Sequence, residues 1–305
     1  MQIRRGQSPS RIVLSALALS ALLFPAHSAS PAKVETGRVA NSDYAQRRQD
    51  VGEQVRPKEG YQTKLVLGDI VPRMAAHGII EWEKMETLYK GRGGIPAELK
   101  QLLTQASDTP LVVTRENANW LANILWPLGL SNRMAINRRS PIAGKDLPNL
   151  ASTGGWDLGK EKNGASYFNR YKLISLTQGQ ERKVLRIASS TYRPCCDNST
   201  FFQDCNHGSA ALAVIQLGVA QGLSDNEIYR TLLAFNSYWF GPTYVETAVY
   251  FNVVRGTSWS EVDPRRVLSR RYSTASGWHQ NVHARASKVP GLLPKADEEG
   301  ESCGA

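Results

Sequence analysis

Four side chains that can bind a metal or act as nucleophiles lie within 13 residues of one another: Cys195, Cys196, Cys205 and His207. Thiolate sulfur and imidazole nitrogen are ligands that zinc and copper accept readily in proteins. Three sulfurs and one nitrogen suit a tetrahedral zinc ion, although adjacent cysteines reach one ion only with strain. The four residues therefore predict a site for a zinc or copper ion.

The same cysteines allow two other interpretations. In an oxidising compartment thiols tend to pair, so three clustered cysteines leave one over. Cys195 or Cys196 can form a disulfide with Cys205 or its neighbour, which leaves the remaining cysteine as a nucleophile. Alternatively, the disulfide is structural, and the chain is a non-catalytic scaffold. Cys303 lies alone in an acidic tail, residues 291–305, that is expected to be disordered and outside the site.

The position of Cys205 and His207 suits metal binding or catalysis. Both fall at the predicted start of an apolar helix that runs from His207 to Gln221. Unpaired backbone N–H groups and the helix dipole create positive potential there. That potential stabilises a thiolate and disfavours an imidazolium, so His207 is expected to be neutral and able to bind a metal.

The segment Asp204–Leu212 loosely resembles papain-fold cysteine peptidases, in which the catalytic cysteine starts a buried helix. The resemblance covers about ten residues and implies a thiol-dependent peptidase or acyl transferase with Cys205 as the nucleophile. The family places a glutamine for the oxyanion hole several residues upstream of the cysteine. Here Gln203 lies only two residues before it, and Asn198 or Ser199 occupies the expected distance.

Two further histidines, His279 and His283, lie about 75 residues beyond Cys205. The papain pattern expects its histidine to begin an apolar strand, and the sequence from Trp278 to His283 does not have that character. The spacing i, i+4 puts both rings on one face if the segment is helical. The pair can then hold a metal, provide a base for Cys205, or lie on the surface without a role.

The elements around the cluster predict a mainly α (α+β) single domain over residues 61–290. β-Branched and aromatic residues over 167–177 and 183–190 predict one small β-hairpin that leads to the cysteines. The apolar helix after the cysteines is expected to be central and buried, because it is apolar on nearly every side. Capping boxes at Ser224 and Thr243, and Asp263 before a proline, begin three further helices.

The first half of the chain has weaker signals for where helices begin and end. Residues 29–60 are polar and predict a flexible lead-in. Helices are then predicted over 69–89, 96–103 and 114–127, the last ending at Pro127. Residues 131–165 are rich in Gly, Pro, Asn and Ser and predict a long irregular connection.

Residues 1–28 have the pattern of a cleavable signal peptide. Basic residues precede an apolar run from Ile12 to Phe24, which is shorter than the ~20 residues that span a bilayer, and small side chains end at Ser28. Arg4-Arg5 also begins twin-arginine signals, but the residues that follow it are not apolar, so export in the unfolded state is favoured. The pattern predicts a soluble protein that is periplasmic or secreted.

The charge balance says little about partners. The formal net charge is +10, or about +7 once three signal-peptide arginines are removed. The basic residues are scattered rather than aligned with aromatic side chains on one face, so nucleic-acid binding is not indicated. The excess of basic residues is compatible with an anionic surface as partner, and the sequence identifies no other.

The signal-peptide pattern makes a direct prediction. We expect the exported protein to begin near residue 29, because cleavage is predicted after Ser28 or Ala29. N-terminal sequencing of protein recovered from outside the cytoplasm measures this. Material that begins at Met1, or protein found only in the cytosol, would contradict the prediction.

Overall fold

The computed structural model describes residues 41–151 and 158–293, with side chains from residue 46. These residues are mainly helical, with a small two-stranded antiparallel sheet that precedes the central helix, which confirms the predicted fold class. The predicted signal peptide and Cys303 lie outside the described residues.

The first half of the chain supplies short helices and the sheet. Tyr61–Gln62 (β1) pairs antiparallel with Val112–Val113 (β2). Short 3₁₀ turns occupy Lys90–Arg92, Ala135–Arg139 and Gly164–Ser166. The α-helices are Asn41–Val55 (α1), Ile70–Ala76 (α2), Trp82–Tyr89 (α3), Ala97–Thr104 (α4), Ala118–Ser131 (α5) and Leu147–Leu150 (α6).

The second half supplies the longer helices around the predicted site. Its last part is a series of short turns that includes a π-helix, His279–His283. The α-helices are Gln178–Ser190 (α7), Asn206–Ala220 (α8), Asp225–Trp239 (α9), Gly241–Arg255 (α10), Pro264–Val267 (α11), Arg270–Ser273 (α12), Ala275–Trp278 (α13) and Ala284–Ala286 (α14).

Helix α8 is the centre of the core, as its sequence predicted. Every residue from Gly208 to Val219 is buried, and α5, α7 and α9 pack against the helix. The most extensive of these contacts in the described fold is with α5. A Cβ added to Gly129 of α5 would lie 1.9 Å from the carbonyl oxygen of Ser209. The two helices therefore touch backbone to backbone one turn after Cys205.

The hairpin predicted over residues 167–190 is wrong, because its second half forms α7. The Thr177 hydroxyl accepts a hydrogen bond from the Gln180 amide, and the Gln180 side chain caps the Thr177 amide in return. Val184 and Ile187 are fully buried on one face of the helix. The capping box and the helical spacing of apolar residues thus outweigh the strand preference of the β-branched side chains.

The flexible lead-in is also wrong in part. Asn41–Val55 forms α1, and Val51 and Val55 are buried in the core against α10. The buried residues Val51 and Val55 lie at i, i+4 in an otherwise polar helix, and this pattern is too weak to predict the helix from the sequence. At the other end, Leu292 is buried, so the predicted tail does not begin at residue 291.

Three helix boundaries differ from the prediction. The helix predicted over 69–89 divides at Gly78, which has a φ of 67°. Pro127 lies inside α5 rather than at its end, in a helix buried on almost all sides. Helix α10 begins at Gly241 without a side-chain cap, so the box predicted at Thr243 does not form. Ser224 caps α9 as predicted.

The close contact at Gly129 predicts that replacing this glycine by alanine destabilises the protein, whereas the same replacement at Gly179 does not. Gly129→Ala should lower the free energy of unfolding by about 1–3 kcal/mol, because the added methyl group forces α5 away from α8. Gly179→Ala in α7 is the matched control, since its nearest contact would be an ordinary 3.8 Å. It should be neutral or slightly stabilising. Urea unfolding measures both, and equal effects would show that α5 does not touch α8 this closely.

Candidate metal centre

The loop between α7 and α8 carries the cysteines and is fixed by an internal bridge and by hydrogen bonds from α13. Tyr192 and Ser199 pair as an antiparallel bridge, which turns the chain back on itself. The Ala275 amide donates to the Cys196 carbonyl at 3.1 Å, and the Ser276 amide donates to the Asp197 carboxylate at 2.8 Å. The start of α13 therefore fixes the segment that contains the adjacent cysteines.

The structure brings the three cysteines together. The sulfurs of Cys195, Cys196 and Cys205 all lie within 4.8 Å of one another, and those of Cys195 and Cys205 are 3.7 Å apart. All three are free thiols, so the predicted disulfide is not supported. Cys195 is exposed, whereas Cys196 and Cys205 are partly buried. The cluster is thus open to solvent on the side of Cys195.

A buried arginine lies beneath the cluster. The Arg193 side chain has no solvent exposure. Its Nε and Nη2 atoms donate to the Cys205 sulfur at 3.3 and 3.2 Å, and Nη2 pairs with Asp204 at 2.9 Å. Nη1 donates to the carbonyls of Asn198 and Ser199, both at 2.7 Å. One guanidinium group therefore ties the loop to the sulfur at the helix start.

Helix α8 leaves room for this guanidinium group. Cys205 is the N-cap residue, and its sulfur accepts a hydrogen bond from the Gly208 amide at 3.3 Å. A Cβ at Gly208 would lie 2.5 Å from Nη2 of Arg193. The missing side chain at position 208 is thus a condition for the contact between Arg193 and Cys205.

The three thiols differ in acidity. Hydrogen bonds from Cys195 and Cys196, together with the positive charge of Arg193, lower the pKa of Cys205 far below its ordinary value. Hydrogen bonds with Cys196 and Cys205 raise the pKa of Cys195. The hydrogen bond with Cys195 lowers the pKa of Cys196, but the contact with Cys205 and burial outweigh it, so this pKa is also raised. These directions favour Cys205 over Cys195 and Cys196 as the thiolate of the cluster.

The predicted ligand His207 is not brought into the group of sulfurs. Its ring packs against Phe240, with the centroids 4.5 Å apart, and against the edge of Trp239 at 5.6 Å. Burial lowers the pKa of His207; the nearby Cys205 opposes this effect, and the charge of Arg193 adds to it. The ring is therefore neutral, in the direction that the helix start predicted, but its described contacts are aromatic.

His279 and His283 lie in the π-helix with their rings stacked, 5.4 Å between centroids. Nδ1 of His283 is 3.1 Å from the Glu246 carboxylate, and its ring also packs on Trp278. The described contacts of this pair are thus with α10, with Trp278 of α13 and with each other. The structure does not place either ring against Cys205, as a papain-like base would require.

Sequence reasoning missed Arg193 as a member of the site. Arginine is rarely fully buried unless it is paired, and the basic residues of this chain looked scattered and solvated. The available signal was local. Arg193 directly precedes Pro194-Cys195, and the first turn of α8 carries a glycine, Gly208, where a helix would ordinarily prefer a side chain.

Comparison of the chain with family models, with curated proteins and with solved structures found no match. Among the described residues, no helix is both long enough and apolar enough to cross a membrane.

The buried guanidinium predicts a large effect on stability. Arg193→Gln should lower the free energy of unfolding of the reduced, metal-free protein by about 3–5 kcal/mol, because it removes the cation that pairs with Asp204 and leaves several carbonyls without a donor. Urea unfolding measures the loss.

Arg270→Gln is the matched control. Arg270 is exposed and lies over the ring of Tyr192 in the same loop, 5.3 Å from its centroid. Its replacement should change stability by less than ~1 kcal/mol. Similar losses in the two variants would contradict the central role of Arg193.

Proposed function

We propose that this chain binds one zinc or copper ion through Cys195, Cys196 and Cys205, and that it does so outside the cytoplasm. The observation that carries the proposal is the convergence of three free thiols, from a loop and from a helix start, to within 4.8 Å. Soft thiolate ligands select zinc and cuprous copper over hard cations.

The spacing of the sulfurs suits one ion. Zn–S bonds of ~2.3 Å in a tetrahedral arrangement hold the sulfurs ~3.8 Å apart. The sulfurs of Cys195 and Cys205 are already 3.7 Å apart. Three protein ligands leave a fourth position for a water molecule or a substrate, an arrangement typical of catalytic rather than structural zinc. The exposed side of Cys195 is where that position would open.

Arg193 supports this proposal through charge. Three thiolates around a divalent ion carry a net charge of −1, and a partly buried negative charge is costly without a partner. The N–H groups that Arg193 donates to the Cys205 sulfur supply that partner and orient the ligand.

A thiol-dependent enzyme is the second candidate, because one observation favours it. The Cys205 sulfur lies at the start of a helix and accepts hydrogen bonds from two arginine N–H groups. Such surroundings lower the pKa of a thiol and are how proteins activate a cysteine nucleophile. Against this, the exposed thiol is Cys195, whose pKa is raised, and no described contact gives Cys205 a histidine base. Metal binding uses all three thiols, and we therefore rank it first.

The site of action is a separate part of the proposal. It rests on the signal-peptide pattern of residues 1–28, which lie outside the described residues. Export in the unfolded state would mean that the ion is acquired after folding, outside the cytoplasm.

Elemental analysis of the purified chain tests metal binding. We expect about one zinc or copper ion per chain, since the three sulfurs form one site. Cys205→Ser and Cys195→Ser should each lower this stoichiometry, whereas Cys303→Ser, in the predicted tail, should not. His207→Ala tests whether the histidine supplies a fourth ligand.

The alternatives give different outcomes in the same preparation. A metal-free protein in which Cys205 reacts with iodoacetamide at pH 6, well below the ordinary thiol pKa of ~8.5, would assign the site to thiol catalysis. A protein with neither bound metal nor a reactive thiol would contradict both functions and leave the cluster as a structural brace.

The pKa shifts predict how zinc binding depends on pH. Affinity should weaken as the pH falls, because Cys195 and Cys196 must lose protons to bind. Because the pKa of Cys205 is lowered far below its ordinary value, binding at neutral pH should release about two protons per ion rather than three. Calorimetry in two buffers with different ionisation enthalpies counts the protons. A release of three would show that Cys205 is protonated in the free protein.

A further inference from the structure

A second cleft, of about 490 Å³, is lined by residues other than the cysteines. It lies between the 3₁₀ turn Ala135–Arg139, the irregular segment 169–176 and helix α7. Its volume is in the range of sites that enclose small molecules. The thiol site leaves this part of the molecule unexplained.

Polar side chains hold the walls of this cleft in place. The Asn132 side-chain oxygen accepts hydrogen bonds from the amides of Leu173 and Ile174, at 3.1 and 2.8 Å. Asn169 adopts a φ of 55°, which is uncommon for a residue other than glycine, and its side chain accepts from the Met134 amide at 2.8 Å. Two non-helical segments are thus fixed relative to each other, and a ligand bound between them would pay little ordering cost.

The only carboxylate of the described lining is already engaged. Glu181 of α7 is 9% exposed, and its two oxygens accept from the amides of Ala135 and Ile136 at 3.0 and 3.2 Å. Its charge serves to pin the 3₁₀ turn. It is not directed at a cation of the lining.

Three cations line the cleft without such partners. Arg133, Arg138 and Lys172 are exposed, and none of them forms an ion pair with a carboxylate in the described part of the chain. Together with Glu181 they give the lining a net charge of +2. Ile174 and Leu176 add an apolar surface beside them.

We propose that this cleft binds a small organic dianion, such as a phosphate monoester or a dicarboxylate, with its acidic groups on Arg133, Arg138 and Lys172. Two negative charges match the net charge of the lining. Arginine N–H groups pair well with phosphate and carboxylate oxygens. The apolar side chains would contact a short hydrocarbon or aromatic body. The proposal stands on residues that the metal site does not use.

Calorimetric titration of the full chain with phenyl phosphate tests this, after metals have been removed with a chelator and the chelator has been dialysed away, because EDTA is itself a polycarboxylate that would compete for the cleft. We expect saturable binding with one site per chain, tighter than that of inorganic phosphate, which lacks the apolar body. Arg138→Gln should weaken binding by at least about tenfold, since it removes a charge-assisted contact. Arg139→Gln is the matched control, because its side chain is exposed beside Arg138 but does not line the cleft.

Several results would overturn the proposal. The first is the absence of saturable binding up to ~10 mM phenyl phosphate, well above the millimolar range of a weak site. The second is equal weakening by Arg138→Gln and Arg139→Gln, which would indicate a diffuse basic surface. The third is binding to phosphatidylglycerol vesicles that Arg138→Gln weakens while phenyl phosphate does not compete, which would assign these cations to a membrane surface.

Discussion

The buried charge of Arg193 is the interaction on which the rest of the site depends. A guanidinium group without solvent contact is tolerated only when nearly all of its donors are paired. Here they reach backbone carbonyls of the loop, the Asp204 carboxylate and the Cys205 sulfur. Because one side chain makes all of these contacts, a rearrangement of the loop would leave the buried guanidinium without hydrogen-bond acceptors. The positions of the cysteines therefore depend on the hydrogen bonds and the ion pair of the buried Arg193.

Helix α8 fixes the other half of the cluster by packing rather than by charge. Two close contacts surround its first turn. The guanidinium of Arg193 packs against Gly208, and Gly129 of α5 packs against the next residue, Ser209. Neither contact leaves space for a methyl group. Cys205, which caps this turn, therefore has a position set by the helix core. A ligand anchored in this way resists displacement better than one carried by a loop alone.

The sequence predicted the helical half of the site well and the loop half poorly. The spacing of apolar residues predicts the burial of α8, and capping residues such as Ser224 predict where the following helices begin. Both signals involve residues that are close in sequence. The local signals at Arg193 and Gly208 do not show that the guanidinium is buried, nor which carbonyls it contacts, because those contacts join separate segments of the loop to the helix start. The hairpin prediction failed for a related reason. The β-branched composition of residues 183–190 was given more weight than the box at Thr177, whose two hydrogen bonds begin α7.

Adjacent cysteines looked like poor partners for one ion, and the turn at Pro194-Cys195 explains how both reach the cluster. In an extended strand, successive side chains point to opposite faces, but a turn removes that constraint. The turn and Cys205 belong to different elements, so an ion bound by all three sulfurs would cross-link the loop to the helix. Binding to the folded state alone would then stabilise it, by about 2.7 kcal/mol at an ion concentration of 100 times the dissociation constant. Metal binding by the cluster would therefore be coupled to the stability of the loop, and both would depend on the contacts of Arg193.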